Sequence, residues 1–419
     1  MKQRLRILAM TTVVLPLMFT GAALAQQEQK PSIAAFINHI WQASPAIHEA
    51  EARVAAAQAG QRAASRWQYN PELEFEVEDV DGEDKTMLLG VSQTIDWSGK
   101  FRSSGKTAEF ELLAASAERD GTRQNIAVGV LSALADNRAA KDIFGLAAQR
   151  SSLMKRFAGL VEKGFKAGDI DQSEYNLAQL ALSEALIEQA DAGTTLAESR
   201  QGLDTAIGFP LENGFALPDL PGTLPEFSDS GESEDDNLMN LPAIRAMKSR
   251  EEAAKSVITQ ANKDRFPDPT ISIVGGEDAG AGKIGFSVSV PLYVFKTYRA
   301  EVDVAKQEAI AEAKAGQNAF HAAKARLLAS RNAYQLSRRA WENWQENGAQ
   351  ALTEQFNILD LKFKVGDLSA TDYLVQIEQA LDTEGAAKEL HSKVWQSWFS
   401  WLAASGKTEQ WIQNSGQQQ

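Results

Sequence analysis

The chain has 419 residues, 44% of them hydrophobic, a formal charge of −14 and no cysteine. The missing thiols exclude disulfides, thiolate chemistry and a lipid-modified N-terminus. The acidity argues against nucleic acid, whose phosphates need a basic face, and the mean hydropathy of −0.30 is that of a water-compatible chain.

Residues 1–25 read as an export signal. Lys2, Arg4 and Arg6 precede an apolar stretch from Ile7 to Phe19, and Ala23-Leu24-Ala25 is a small-residue cleavage site. Removing this segment leaves a chain expected to start near Gln26 with a charge of −17. No later run of about 18 apolar residues predicts a membrane-spanning helix.

Residues 26–208 form a first unit. An Ala-, Gln- and Glu-rich helical stretch over 32–67 is broken only by Pro45. A β-hairpin is predicted over 71–95. Leu73, Phe75 and Val77 alternate with Glu72, Glu74, Glu76 and Glu78, Asp81-Gly82 supplies the turn, and Met87 to Ile95 makes the second strand. If the apolar residues face lipid, the four glutamates line the opposite face and offer an acidic path to cations. The proline-free stretch 103–163 then predicts a helix of roughly 90 Å.

Residues 209–240 are a Pro-, Gly- and acid-rich linker. A second unit over 241–405 carries a hairpin over 269–292, in which Ile284, Phe286, Val288, Val290 and Leu292 alternate with small residues, and a second proline-free stretch over 298–362. Residues 406–419 read as a polar tail. Trp395, Trp398 and Trp401, at helical spacing, are expected in the core.

The two units repeat one plan. Phe165-Lys166-Ala167-Gly168-Asp169-Ile170 with Glu174-Tyr175 returns as Phe363-Lys364-Val365-Gly366-Asp367-Leu368 with Asp372-Tyr373, and Pro45-Ala46-Ile47 returns as Pro242-Ala243-Ile244. Landmarks in one order at a spacing of 197 or 198 residues indicate duplication of a whole architectural unit. Aromatics gather at the helix-side ends of both hairpins: Trp67, Tyr69 and Trp97 in the first, Tyr293, Phe295 and Tyr298 in the second. Such a girdle marks a membrane–water interface.

The fold class expected is mainly α with a small β part: a duplicated long-helix protomer with two β-hairpins. Strand edges are not tolerated in lipid, and four strands cannot close a barrel. Copies must therefore share one, and twelve strands leave room for a channel where eight do not. The helices then continue from the strands, away from the membrane. His39, His48, His321 and His391 are scattered, and no metal, cofactor or nucleophile–base pattern appears, so neither a cofactor nor an enzyme is expected.

With these elements in place, the chain resembles the TolC-type outer membrane factor family, the exit ducts of tripartite efflux pumps and type I secretion systems. The resemblance covers almost the entire chain after the signal. It rests on the duplicated plan, on Asn70-Pro71-Glu72-Leu73, on Ser92-Gln93-Thr94-Ile95-Asp96 before Gly99-Lys100, and on Pro267-Asp268-Pro269 followed by Ser289-Val290-Pro291-Leu292. These phrases are most similar to the CzcC-like heavy-metal efflux branch. Members of that branch are often lipoproteins, which this cysteine-free chain is not, and Tyr298 and Ala300 stand where Asn and Gly are often found.

The resemblance implies a homotrimer with a 12-stranded outer-membrane barrel and a periplasmic helical tunnel. It also implies a periplasmic membrane fusion (adaptor) protein and an inner-membrane RND pump as partners, outer membrane lipid around the barrel, and heavy-metal cations as cargo. The turns at Gly168, Asp169, Gly366 and Asp367, helix caps in any case, would form the tip that docks the adaptor. Glu174 and Asp372, in the first turn of the following helices, would form the constriction; a second family aspartate is here Val375. A drug-efflux or type I secretion duct has the same plan, and a periplasmic coiled-coil scaffold or adaptor is the alternative outside it.

Overall fold

A computed structural model describes residues 30–80, 84–210, 216–227 and 234–415; the export signal lies outside them. In chain order the elements are α1 (Ile33–Ala43), α2 (Pro45–Ala64), β1 (Glu72–Val80), β2 (Asp84–Thr94), α3 (Lys100–Ala167), α4 (Gln172–Ile207), α5 (Glu234–Met239), α6 (Pro242–Asp264), β3 (Thr270–Asp278), β4 (Ala281–Ser289), α7 (Arg299–Asn343), α8 (Ala349–Lys364), α9 (Ala370–Ser405) and α10 (Thr408–Ser415). No helix among the described residues is long and apolar enough to cross a membrane.

The two hairpins form one four-stranded antiparallel sheet in the order β1-β2-β3-β4. Its centre is the pairing of β2 with β3, elements about 180 residues apart in sequence, in which Val91 faces Ile273 and Ser92 faces Ser272. Both outer strands, β1 and β4, keep an open edge.

The 68 residues of α3 form an unbroken helix, about 100 Å long. It packs along α2, α4, α6 and α9, while α7 lies against α6 and α9. Alanine makes this possible. Ala108, Ala114, Ala117, Ala127, Ala135, Ala147 and Ala158 are all buried on α3, and their small side chains let neighbouring backbones approach.

The second proline-free stretch is not one helix. A π-helical turn, Trp344–Gly348, separates α7 from α8. A Cβ on Gly348 would stand 2.2 Å from the Trp344 ring, so the indole folds over the backbone where only glycine leaves room.

Two cores hold the bundle. The equatorial one gathers α1 (Phe36, Ile37, Ile40), mid-α3 (Val130, Leu131), Tyr334 of α7 and the tryptophans Trp395, Trp398 and Trp401 of α9. The described part of the linker joins it: Leu217, Leu220, Leu224 and Phe227 pack against it, and Tyr334 donates its hydroxyl to the carbonyl of Pro225. Further along the linker, Asp235 pairs with Lys324 at 2.9 Å. The segment expected as a polar tail also departs from expectation. Thr408–Ser415 is α10, because Ile412 is buried and Trp411 packs edge-on to Phe399. The second core, at the far end of the long helices, joins Phe157, Ala178, Leu359, Tyr373 and Ile377.

Candidate functional site: sheet, joint and tip

Period-two alternation gives the sheet two chemically opposed faces. Across the pairing, Leu73, Val91, Ile273 and Phe286 fall in one row, and Phe75, Leu89, Gly275 and Ile284 in the next. Leu73, Phe75, Met87, Leu89, Val91, Ile273, Ile284 and Phe286 are all at least half exposed, so the protomer presents a continuous apolar surface. It gives way to Lys85 and Glu277 towards the hairpin ends.

The other face carries the four glutamates. Glu72, Glu74, Glu76 and Glu78 stand in one column, in rows with Ser92, Gly90, Leu88 and Thr86. A Cβ on Gly90 would come within 2.6 Å of Val274 Cγ1, and one on Gly285 within 2.9 Å of Val274 Cγ2, so the two glycines leave the room that the Val274 side chain fills between them. Leu88 and Ser92 are buried on this face, and Asp278 and Lys283 pair there at 2.7 Å.

A polar joint connects sheet to helices. Asp96 accepts from the backbone N–H groups of Gly99, Lys100 and Phe101, capping α3. Burial pushes its carboxyl up, but those three donors outweigh burial and hold it below the usual aspartate value. Lys100 reaches across to Asp268 at 2.8 Å, with both side chains buried, and Tyr69 donates to the same carboxylate oxygen at 2.9 Å. Burial first, then Asp268, pushes the Tyr69 hydroxyl up to about 12. No local pattern announces this pair: Lys100 and Asp268 lie 168 residues apart, one beside Ser92-Gln93-Thr94-Ile95-Asp96 and the other within Pro267-Asp268-Pro269.

The girdle aromatics all lie at these joints. Trp67 stacks on Phe101 at 6.0 Å, and Tyr293 packs on Tyr298 at 4.9 Å. Trp67, Trp97 and Phe295 are exposed; Tyr69, Tyr293 and Tyr298 are half-buried.

At the opposite end the two tip turns are near copies. Gly168 and Gly366 both adopt left-handed backbone, at φ 86° and 82°. The N–H groups of Asp169 and Asp367 return to the carbonyls of Gly164 and Lys362, as in a Schellman cap. Tyr175 stacks on Phe165 at 4.9 Å and Tyr373 on Phe363 at 4.5 Å. All four turn residues are exposed. Glu174 and Asp372 open α4 and α9, their N–H groups bonded to Asp171 and Ser369. The Asp372 carboxylate also accepts from the Ser369 hydroxyl at 2.8 Å. No hydrogen bond or ion pair joins Glu174 to Asp372 among the described residues. The second core brings the two helical hairpins together.

Residues 36–209 match the family model for outer membrane efflux proteins. The cobalt-zinc-cadmium resistance protein CzcC of Cupriavidus metallidurans is 24% identical over 318 residues, 73% of each chain. Among solved structures, the outer-membrane channel OprN superposes with a TM-score of 0.77 at 17% identity over 90% of both chains. The Campylobacter jejuni CmeC outer membrane channel gives 0.76 at 15% over 98% of both, and CusC 0.75 at 15% over 90% of this chain and 92% of that one. The chain is similar to CzcC in sequence and shares the fold of the three solved channels.

Proposed function

We propose that this outer membrane efflux channel of the TolC type is the passive exit duct of a tripartite system that expels heavy-metal cations. The observation that carries the reading is the sheet: four strands, open at both edges, apolar on one face and acidic on the other. In lipid an unpaired edge costs several kcal/mol for each bare backbone group. Pairing β4 of one copy with β1 of the next removes the cost, and three copies make a barrel of twelve strands with a lumen. The apolar side chains left exposed along the helices, Leu180 and Ile187 on α4, Ile310 and Leu336 on α7, suit burial between copies.

The glutamate column then faces the lumen and favours cations. Among the described residues no cluster of His, Asp or Glu could hold and select one metal; that task falls to an inner-membrane RND pump, linked through a periplasmic adaptor that docks at the turns of Gly168, Asp169, Gly366 and Asp367. Glu174 and Asp372 stand just inside that tip, where a ring of carboxylates would narrow and charge the passage. The likeness to CzcC favours cobalt, zinc and cadmium as cargo over drugs or secreted proteins.

Deleting the gene tests the cargo. Sensitivity to those three metals should rise while sensitivity to hydrophobic drugs stays constant; the reverse pattern would make it a drug duct. In planar bilayers, replacing Glu72, Glu74, Glu76 and Glu78 with Gln should reduce cation over anion selectivity.

A further inference from the structure

The chain is acidic as a whole, yet at one level the surface charge reverses. Where strands meet helices, Arg66, Arg102, Arg265, Lys296 and Arg299 are exposed. Of the carboxylates at this level, Glu72 and Glu301 are exposed, and three others are drawn inward. Asp268 is buried on Lys100 and Tyr69, and Asp96 is occupied by three backbone N–H groups. Asp264 is only partly exposed, and burial pushes its carboxyl up, towards the neutral form. Among the described residues only Lys296 of the five cations reaches a carboxylate, Glu301 at 3.5 Å.

Two of the cations also sit on rings: Arg102 over Phe101 at 5.7 Å and Lys296 over Tyr298 at 4.7 Å. The belt thus interleaves cations with the exposed aromatics Trp67, Trp97 and Phe295, immediately below the apolar face of the sheet.

We propose that this belt binds the phosphate headgroups of anionic glycerophospholipids in the leaflet at the periplasmic end of the barrel. The inference rests on the reading of the sheet as membrane-embedded. Charge complementarity and continuity with the apolar face identify the occupant. The rings lie at headgroup depth, and unpaired guanidinium groups present the donor fork that phosphate accepts in bidentate fashion.

The test is native mass spectrometry of the purified, detergent-solubilised full-length protein, titrated with equal amounts of phosphatidylglycerol and phosphatidylcholine. The wild type should retain phosphatidylglycerol preferentially, and the triple variant R66Q/R102Q/R299Q should lose that preference on the order of tenfold. An unheated gel showing the heat-modifiable oligomer checks that the variant is assembled. If it is not, the wild type in rising salt replaces it: the preference should fall with ionic strength. Equal retention of both lipids by the wild type, an unchanged preference in the assembled variant, or a salt-insensitive preference would overturn the proposal. Failure of the membrane reading itself looks different: neither lipid is retained and no heat-modifiable oligomer forms.

Discussion

Lys100, the first residue of α3, forms a buried ion pair at 2.8 Å with Asp268, two residues before β3. One bond thereby ties the long helix of the first repeat to the hairpin of the second, at the level where sheet gives way to helices. Both side chains are nearly dry, so removing one partner strands the other charge. Lys100→Met and Asp268→Asn should each destabilise the protein by about 3–5 kcal/mol. The midpoint of thermal loss of the folded band on gels should fall in both variants, whereas the double variant should recover part of the loss. Equal midpoints in wild type and single variants would show that the pair does not hold the joint.

The two joints differ at the start of their long helices. Gly99 precedes α3 with φ 74°, and Tyr298 holds the same left-handed conformation, φ 55°, before α7. A Cβ on Gly99 would meet only Lys263 Nζ at 3.6 Å and Arg102 Cδ at 3.9 Å, ordinary contacts. Gly99→Ala should therefore cost only its backbone strain, about 1–2 kcal/mol. Tyr298→Gly should relieve strain of that kind, set against loss of the packing on Tyr293. Denaturation of the two variants, with the first less stable than wild type and the second not, checks this.

Acid should weaken the equatorial core through His391. Burial lowers its imidazole below the usual histidine value, against the pull of Asp142 and with the help of Lys388 and Arg138. Its ring packs on Trp341 at 4.5 Å, and its Nε2 accepts from Trp395 Nε1 at 3.3 Å, which requires the neutral form. The unfolded chain takes up this proton near pH 6.5, and the folded one only at lower pH. Stability is thus fully present above 6.5 and declines as pH drops towards the lowered folded value. His391→Gln should flatten that part of the stability–pH curve; an unchanged curve would assign the decline to other groups.

At the tip, Asp372 lies exposed at the first turn of α9. Three copies around a narrow axis would repel one another and attract cations. Asp372→Asn should raise the conductance of reconstituted channels and lower their cation preference. A purely capping role would change stability by about 1 kcal/mol and leave both electrical properties alone.

Local chemistry made much of this architecture legible in the sequence. Leu73-Glu74-Phe75-Glu76-Val77 cannot alternate at period two without presenting two opposed faces. Gly168 and Gly366 end helices because each turn needs left-handed backbone. Relationships between distant segments were hidden. Nothing local to Val91 announces Ile273 across the ladder, and nothing local to Lys100 announces Asp268. The π-helical turn depends on the Trp344 indole lying over Gly348, a matter of side-chain placement that helical periodicity does not register. The helix at Thr408–Ser415 is held by two apolar residues, Trp411 and Ile412, too few to form a periodic pattern. At the candidate constriction, Glu174 and Asp372 come from different helical hairpins, and their proposed role depends on neighbouring copies that lie beyond the folding of one chain.

The central claim, a barrel shared between copies, is most directly tested by cross-linking the open edges. The chain has no cysteine, so Glu74→Cys on β1 and Ser287→Cys, exposed on the same face of β4, introduce the only two thiols. Within one copy these strands are separated by two others, about 14 Å between backbones, too far for a disulfide or a short bifunctional maleimide. Cross-linking in outer-membrane fractions should yield a covalent trimer on denaturing gels. A product that stays monomeric, with both thiols still reactive, would contradict the shared barrel.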